Sequence, residues 1–89
     1  MNKRMKVLVM GGIGKMGSIA VRDLVENTQI SEIVIADLNV DKAKELAKEE
    51  ASKVKDKKIS AVYGDITDRS STSKLAKDAS VFLNTTPIG

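Results

Sequence analysis

Residues 7–17 read Val-Leu-Val-Met-Gly-Gly-Ile-Gly-Lys-Met-Gly, and this stretch predicts the architecture of the whole chain. Its first four residues form a short continuous apolar run, which is typical of a strand buried on both faces. The pattern G-x-G-x-x-G follows directly at residues 12–17, and apolar residues at helical spacing continue to Glu26. A strand, a glycine-rich turn and a helix in this order indicate a binding site for phosphate groups.

The rest of the chain repeats the alternation of strand and helix. Apolar runs predict strands at residues 33–36, 59–63 and 81–83, and helical periodicity predicts helices at 40–53 and 69–77, with Asn39 and Asp68 as N-caps. This order predicts an α/β domain with a parallel sheet. Right-handed crossovers then favour a Rossmann-like, doubly wound sheet of strand order 3-2-1-4, with two helices on one face and the third on the other. Because such domains normally contain more strands, we expect residues 1–89 to be a truncated dinucleotide-binding domain.

The glycine motif assigns a role to each of its glycines. Gly12 would make the tight turn, Gly14 would let the backbone approach a pyrophosphate, and Gly17 would let the helix pack close to the strand. Backbone N–H groups at the start of the helix would then bind the phosphates. The candidate residues of this loop are Gly12, Ile13, Gly14, Lys15, Met16 and Gly17. The alternative interpretation is a glycine-rich turn without a ligand, with Lys15 simply solvated.

An acidic residue closes the second predicted strand. Asp37 lies about 20 residues after Gly17, the spacing expected of a carboxylate that binds the adenosine ribose. With the adjacent Leu38 it completes the ribose part of the candidate site. A carboxylate there would repel a 2′-phosphate, so the sequence predicts a preference for NAD over NADP, although Lys42 is near enough in sequence to weaken it. The alternative is that Asp37 only begins a solvated turn.

Polar residues also follow the third and fourth predicted strands. Asp65 is positioned to hydrogen-bond the adenine amino group and Ile66 to pack on the ring, unless Asp65 is only a turn residue. Thr85, Thr86 and Pro87 lie next to the point where the strand order reverses, where ligands bind in such sheets. We expect them to reach the pyrophosphate or the nicotinamide ribose; a polar loop with proline as a breaker is the alternative.

The amino-acid composition argues against nucleic acid, metal and membrane partners. The chain has 15 basic and 12 acidic residues that are interleaved, and its 2% aromatic content offers few stacking platforms, so we expect no nucleic acid partner. It contains neither histidine nor cysteine, and we predict no metal site. No apolar run approaches the roughly 20 residues of a membrane span, and no signal-peptide core follows the basic start, so we expect a cytoplasmic protein without a membrane partner.

With these motifs in place, the chain resembles the amino-terminal cofactor-binding domain of the saccharopine dehydrogenase family. The similarity covers nearly the whole chain and is carried by residues 6–17, 34–37, 42–47, 64–68 and 79–87. It implies an NAD(P)-dependent oxidoreductase that acts on an amino acid or its imine, with hydride passing between nicotinamide and a carbon of the C–N bond. In this family a second, carboxy-terminal domain supplies most substrate and acid–base groups, so no catalytic residue is assigned here. The run of hydroxyl residues at 70–73 and the early end of the chain depart from the family pattern.

Two other functions share the same strand, glycine loop and helix. One is a non-catalytic nucleotide-sensing module of a transport regulator. The other is an extended-type reductase or epimerase, whose Tyr-x-x-x-Lys pair is not formed by Tyr63, since Thr67 stands at the lysine position.

If the strand order is 3-2-1-4, the fourth strand lies at the edge of the sheet and is apolar at residues 81–83. We therefore expect homo-oligomers to form through this strand.

Overall fold

The computed structural model of the protein describes residues 5–11 and 14–85. Four strands and three helices alternate along the chain. They are β1 (Met5–Met10), α1 (Lys15–Val25), β2 (Ile30–Asp37), α2 (Val40–Ala51), β3 (Lys58–Tyr63), α3 (Arg69–Lys77) and β4 (Val81–Asn84). The predicted elements are confirmed, and β1 and β2 begin two or three residues earlier than their apolar runs.

The strands form one parallel sheet of order β3-β2-β1-β4. This confirms the predicted Rossmann-like topology, in which the chain reverses its direction of winding after β3. The central pair is in register from Val7 opposite Ile33 to Met10 opposite Ala36, and β4 pairs with β1 from Val81 opposite Val7. Strand β4 therefore lies at one edge of the sheet.

The two faces of the sheet carry separate cores. On one face, buried residues of β1 and β2 pack against α1 and α2; this cluster includes Val7, Val9, Ile33, Ile35, Val21, Val25, Ala43 and Ala47. On the other face, Leu8, Met10, Val34 and Ala36 pack against partly buried residues that include Leu75, Ala76 and Ala79 of α3 and the loop after it. The predicted placement of two helices on one face and one on the other is confirmed. Burial on both faces explains why β1 and β2 read as continuous apolar runs.

Local capping fixes where α2 and α3 begin. The Asn39 side chain accepts a hydrogen bond from the backbone N–H of Lys42 at 3.2 Å, and the Asp68 side chain accepts one from Ser71 N at 3.1 Å. Both N-caps confirm the sequence prediction.

Among the described residues, no helix is long and apolar enough to cross a membrane. The described part of the chain also contains no group of three or more acidic, histidine or cysteine side chains able to hold a metal ion.

Candidate dinucleotide-binding site

The carboxyl ends of the four strands meet at one edge of the sheet, because all four strands are parallel. Each of the predicted site segments follows one of these ends. The described members are Gly14, Lys15, Met16 and Gly17 after β1, Asp37 and Leu38 at the end of β2, Asp65 and Ile66 after β3, and Thr85 after β4. Gly12, Ile13, Thr86 and Pro87 lie outside the described residues. The fold thus gathers the described candidates at the edge where doubly wound sheets bind ligands.

The glycine turn, residues 11–14, begins at Gly11, and both the N–H and the carbonyl of Gly11 form hydrogen bonds. Gly11 has a φ of 81°, a left-handed conformation that favours glycine. Its N–H donates to the Ala36 carbonyl of β2 at 2.7 Å, and its carbonyl accepts from Gly14 N at 3.4 Å. Sequence reasoning did not include Gly11 in the site, although its place directly after β1 was the available signal.

Helix α1 begins without a side-chain cap. Gly14 is its N-cap residue and has no side chain, and its carbonyl accepts the first helical bond from Ser18 N at 2.8 Å. Gly17 is buried on the side of α1 that packs on the sheet, whereas Lys15 and Met16 are exposed. The first turn of α1 therefore presents backbone N–H groups that no N-cap side chain satisfies, which is the arrangement that binds anions.

Gly14 has room for a side chain among the described residues. A Cβ atom built on it would lie 3.8 Å from the Gly11 carbonyl oxygen, an ordinary contact, and closer to no other described atom beyond its chain neighbours. Its φ of −66° is also open to any residue. The packing of the described residues does not require glycine here.

A small cavity of about 70 Å³ adjoins the turn. Its lining residues come from the ends of β1, β2 and β3 and are Met10, Gly11, Asp37, Leu38, Gly64 and Ile66. Three of them, Asp37, Leu38 and Ile66, are predicted site residues. Met10, Gly11 and Gly64 were missed, because their part in the wall depends on how closely three strands approach one another.

Two hydrogen bonds define the surroundings of Asp37. One carboxylate oxygen accepts from Asn39 N at 3.0 Å, which closes a turn at the end of β2, and the Asp37 carbonyl accepts from Gly64 N at 3.1 Å. The side chain is half-buried at the cavity wall. Lys42 is exposed on the first turn of α2, directly after the Asn39 cap.

Asp65 is held within its own loop. Its Oδ1 accepts hydrogen bonds from the Thr67 hydroxyl at 2.6 Å and from Thr67 N at 2.9 Å. The hydroxyl bond, and then the backbone bond, lower the pKa of the Asp65 carboxyl because they stabilise its charged form. The cavity wall includes Ile66 but not Asp65. The structure thus shows the turn role of Asp65 that the sequence had left as an alternative, and the predicted contact with adenine stays a prediction.

Thr85 joins the end of β4 to the glycine turn. Its N–H donates to the Met10 carbonyl at 2.9 Å, and its hydroxyl oxygen lies 2.9 Å from the carbonyl oxygens of both Met10 and Gly11. The predicted site residue Thr85 therefore touches the turn itself.

The fold is similar to that of a known reductase. Thirteen chains of solved structures match, and one of them is described as the crystal structure of YwfH, an NADPH-dependent reductase involved in bacilysin biosynthesis. It aligns with a TM-score of 0.78 at 19% sequence identity, over 97% of this chain and 38% of that protein. The chain thus spans well under half the length of that reductase, and the likeness is one of fold.

A family model described as the saccharopine dehydrogenase NADP binding domain matches residues 7–88. No protein with a curated description matches the chain in sequence.

The predicted preference for NAD over NADP is wrong, since the matching family is one of NADP-binding domains. The structure supplies a physical reason. The prediction gave more weight to the Asp37 carboxylate, one of whose oxygens accepts a hydrogen bond from Asn39 N, than to its surroundings. The start of α2, which favours anions, and the exposed Lys42 follow immediately. A single carboxylate at the end of β2 therefore does not decide the cofactor.

The matched residues contain the glycine turn, the cavity wall and nearly all of the sheet. The resemblance seen in the sequence is confirmed over almost its full extent. The chain belongs to the family of saccharopine dehydrogenase NADP-binding domains.

Proposed function

We propose that this chain is the NADP(H)-binding part of an oxidoreductase that acts on an amino acid or imino acid. The space beside Gly14 is the observation that carries the proposal. A glycine that the described packing does not require, at the uncapped start of a helix, fits a pyrophosphate that comes into contact with the backbone. The family supports the oxidoreductase class, and its resemblance to saccharopine dehydrogenase supports the substrate class.

The proposal assigns each part of the cofactor to a segment of the chain. In this proposal residues 12–17 bind the pyrophosphate, Asp37 and Leu38 contact the adenosine ribose, and Ile66 packs on adenine across the cavity. Asp65 lies at the rim of that adenine site. Lys42 provides a positive charge near the 2′-phosphate, while the segment from Thr85 to Pro87 lies towards the nicotinamide ribose. Bound NADP(H) supplies the hydride-transfer chemistry, and this chain binds and orients it.

The acid–base groups are assigned to a separate substrate domain. We propose that residues 1–89 form part of a dinucleotide-binding domain that works with a carboxy-terminal substrate domain. The chain alone is then expected to bind NADPH without oxidising it, whatever imino acid is added. Oxidation of NADPH by this chain would contradict this division of labour, and assays of the longer protein with imino acids test the substrate class.

Replacement of Gly14 by alanine tests the binding site. We expect Gly14→Ala to change the thermal unfolding temperature only slightly. The nearest described contact of the new methyl group is at 3.8 Å, and the stabilisation from restricting the unfolded chain is offset by the weaker preference of alanine for the N-cap position. The same methyl group should weaken NADPH binding by about tenfold or more, since it occupies the space that the phosphates need. Calorimetric titration measures the affinity and circular dichroism measures the unfolding.

Two results would overturn the proposal. One is the absence of NADPH binding by the unmodified chain at millimolar concentration. The other is equal affinity of the Gly14→Ala variant. A conservative control for binding is Ser73→Ala, which removes an exposed hydroxyl from α3 and should leave NADPH affinity unchanged.

A further inference from the structure

The Thr85 hydroxyl has a single proton, and two backbone carbonyls compete for it. The carbonyl oxygens of Met10 and Gly11 each lie 2.9 Å from Oγ1. Both belong to the chain that leaves β1 and enters the glycine turn. A threonine hydroxyl has one donor and two acceptor positions, so its donor capacity is used on the main chain of the protein.

The Gly11 residue is held from three directions. Its N–H is fixed to Ala36 of β2, its carbonyl accepts from Gly14 N, and the same carbonyl faces the Thr85 hydroxyl. The bond from Gly14 is long at 3.4 Å, whereas the Thr85 contact is 2.9 Å. Gly11 also has a left-handed φ of 81°, a conformation that residues other than glycine rarely adopt. Thr85 contributes the shorter of the two contacts to the Gly11 carbonyl.

We propose that Thr85 is a positioning residue, which holds Gly11 in place at the start of the glycine turn before the dinucleotide arrives. This inference rests on the proposed function, because it assigns a role within the same site. Preorganisation of this kind raises affinity by reducing the ordering that binding requires. It also restricts direct contact: with its proton donated to a carbonyl, Thr85 can only accept from the ligand. A ribose hydroxyl is then a possible partner, and an unprotonated phosphate oxygen is not.

The test compares Thr85→Val with Thr85→Ser. Valine keeps the shape and loses the hydroxyl, whereas serine keeps the donor. We expect Thr85→Val to bind NADPH about threefold to tenfold more weakly, as for the loss of one hydrogen bond, and Thr85→Ser to restore most of the affinity. Thr28→Val is the matched control, since Thr28 is exposed in the loop before β2, at the amino ends of the strands and away from the candidate site.

Two further readouts separate positioning from general destabilisation and from direct contact. Adenosine 2′-monophosphate lacks the pyrophosphate, so its affinity should not change in Thr85→Val; a general loss of stability would weaken both ligands. The amide NMR signals of Gly11 and Gly14 in the ligand-free protein should move in Thr85→Val and stay in place in Thr28→Val. A hydroxyl that only contacts the cofactor would leave these signals unmoved.

The possible outcomes are distinct. Failure of the unmodified chain to bind NADPH would overturn the proposed function. Normal binding by the chain and equal binding by Thr85→Val would overturn the positioning role alone, as would unmoved glycine signals or an equal loss of adenosine 2′-monophosphate affinity. If Thr85→Val does not fold, the test is the exchange of the Thr85 hydroxyl proton with water, measured by NMR in the unmodified protein. A Thr85 hydroxyl proton protected from exchange with water supports the role, and one that exchanges as fast as that of Thr28 refutes it.

Discussion

Gly64 is the glycine whose replacement should disturb the fold. It is buried after β3, and a Cβ atom built on it would lie 2.7 Å from the Ala36 Cβ and 3.3 Å from the Met10 Sδ and Cε atoms. Met10 ends in a flexible thioether that can move aside. Ala36 cannot, because its Cβ is attached directly to the backbone of a strand paired on both sides.

Two effects of Gly64→Ala oppose each other. Alanine restricts the unfolded chain, which stabilises the folded state by about 0.4–1 kcal/mol where the backbone conformation is allowed. Overpacking of a close-packed site costs about 1–3 kcal/mol. A separation of 2.7 Å is shorter than real Cβ contacts, so the strands must move apart and the second effect wins. The expected net loss is about 1–2 kcal/mol, or about 4–16 °C in the unfolding temperature of a domain of this size.

Thermal and urea unfolding followed by circular dichroism measures this loss. Ala36→Gly removes the obstructing methyl group, so Gly64→Ala should cost less in the Ala36→Gly background than in the unmodified protein. Gly14→Ala is the matched control, because its new Cβ meets its nearest described atom only at 3.8 Å. An unfolding temperature of Gly64→Ala at or above that of the unmodified protein would refute the reasoning. So would a penalty that Ala36→Gly does not reduce.

Two other predictions concern the loop after β3 and the edge of the sheet. Thr67→Val should raise the pKa of Asp65 in an NMR titration, because the hydroxyl bond that contributes most to lowering it is lost. Because the pKa of Asp65 is lower in the folded protein than in the unfolded chain, its charged carboxylate stabilises the fold at pH values above the unfolded pKa, and this contribution is lost as pH falls through the folded pKa. The contribution should be smaller in Thr67→Val. An unchanged titration of Asp65 in this variant would contradict the assignment. Strand β4 lies at the edge with Val81 and Phe82 exposed, so we expect the chain to self-associate there and Val81→Lys to suppress it. Sedimentation of the unmodified chain as a clean monomer at high concentration would speak against this.

Local chemistry explains which structural features the sequence predicted correctly. The strand order followed from uninterrupted apolar runs and the handedness of crossovers. Asn39 and Asp68 were identified as caps because capping joins groups only three residues apart. These signals require no knowledge of distant parts of the chain.

The features that were missed depend on approaches between strands. Met10 and Gly64 enter the cavity wall only because the ends of β1 and β3 converge beside Ala36. The error about the cofactor has a similar origin. The sequence shows a carboxylate at residue 37, but not the amide of Asn39 that partly satisfies it.

The pairing of β1 with β4 has a consequence for how the chain folds. Val7 pairs with Ile33 on one side and with Val81 on the other, so the second pairing closes a loop nearly three times as long as the first. The extra closure entropy is only about 1 kcal/mol, but contacts so distant in sequence form slowly. During synthesis on a ribosome, β1 emerges first among the strands, whereas its partner β4 emerges about 70 residues later. We therefore expect the hydrogen bonds from Thr85 to Met10 and Gly11 to form among the last, after the central strands have paired.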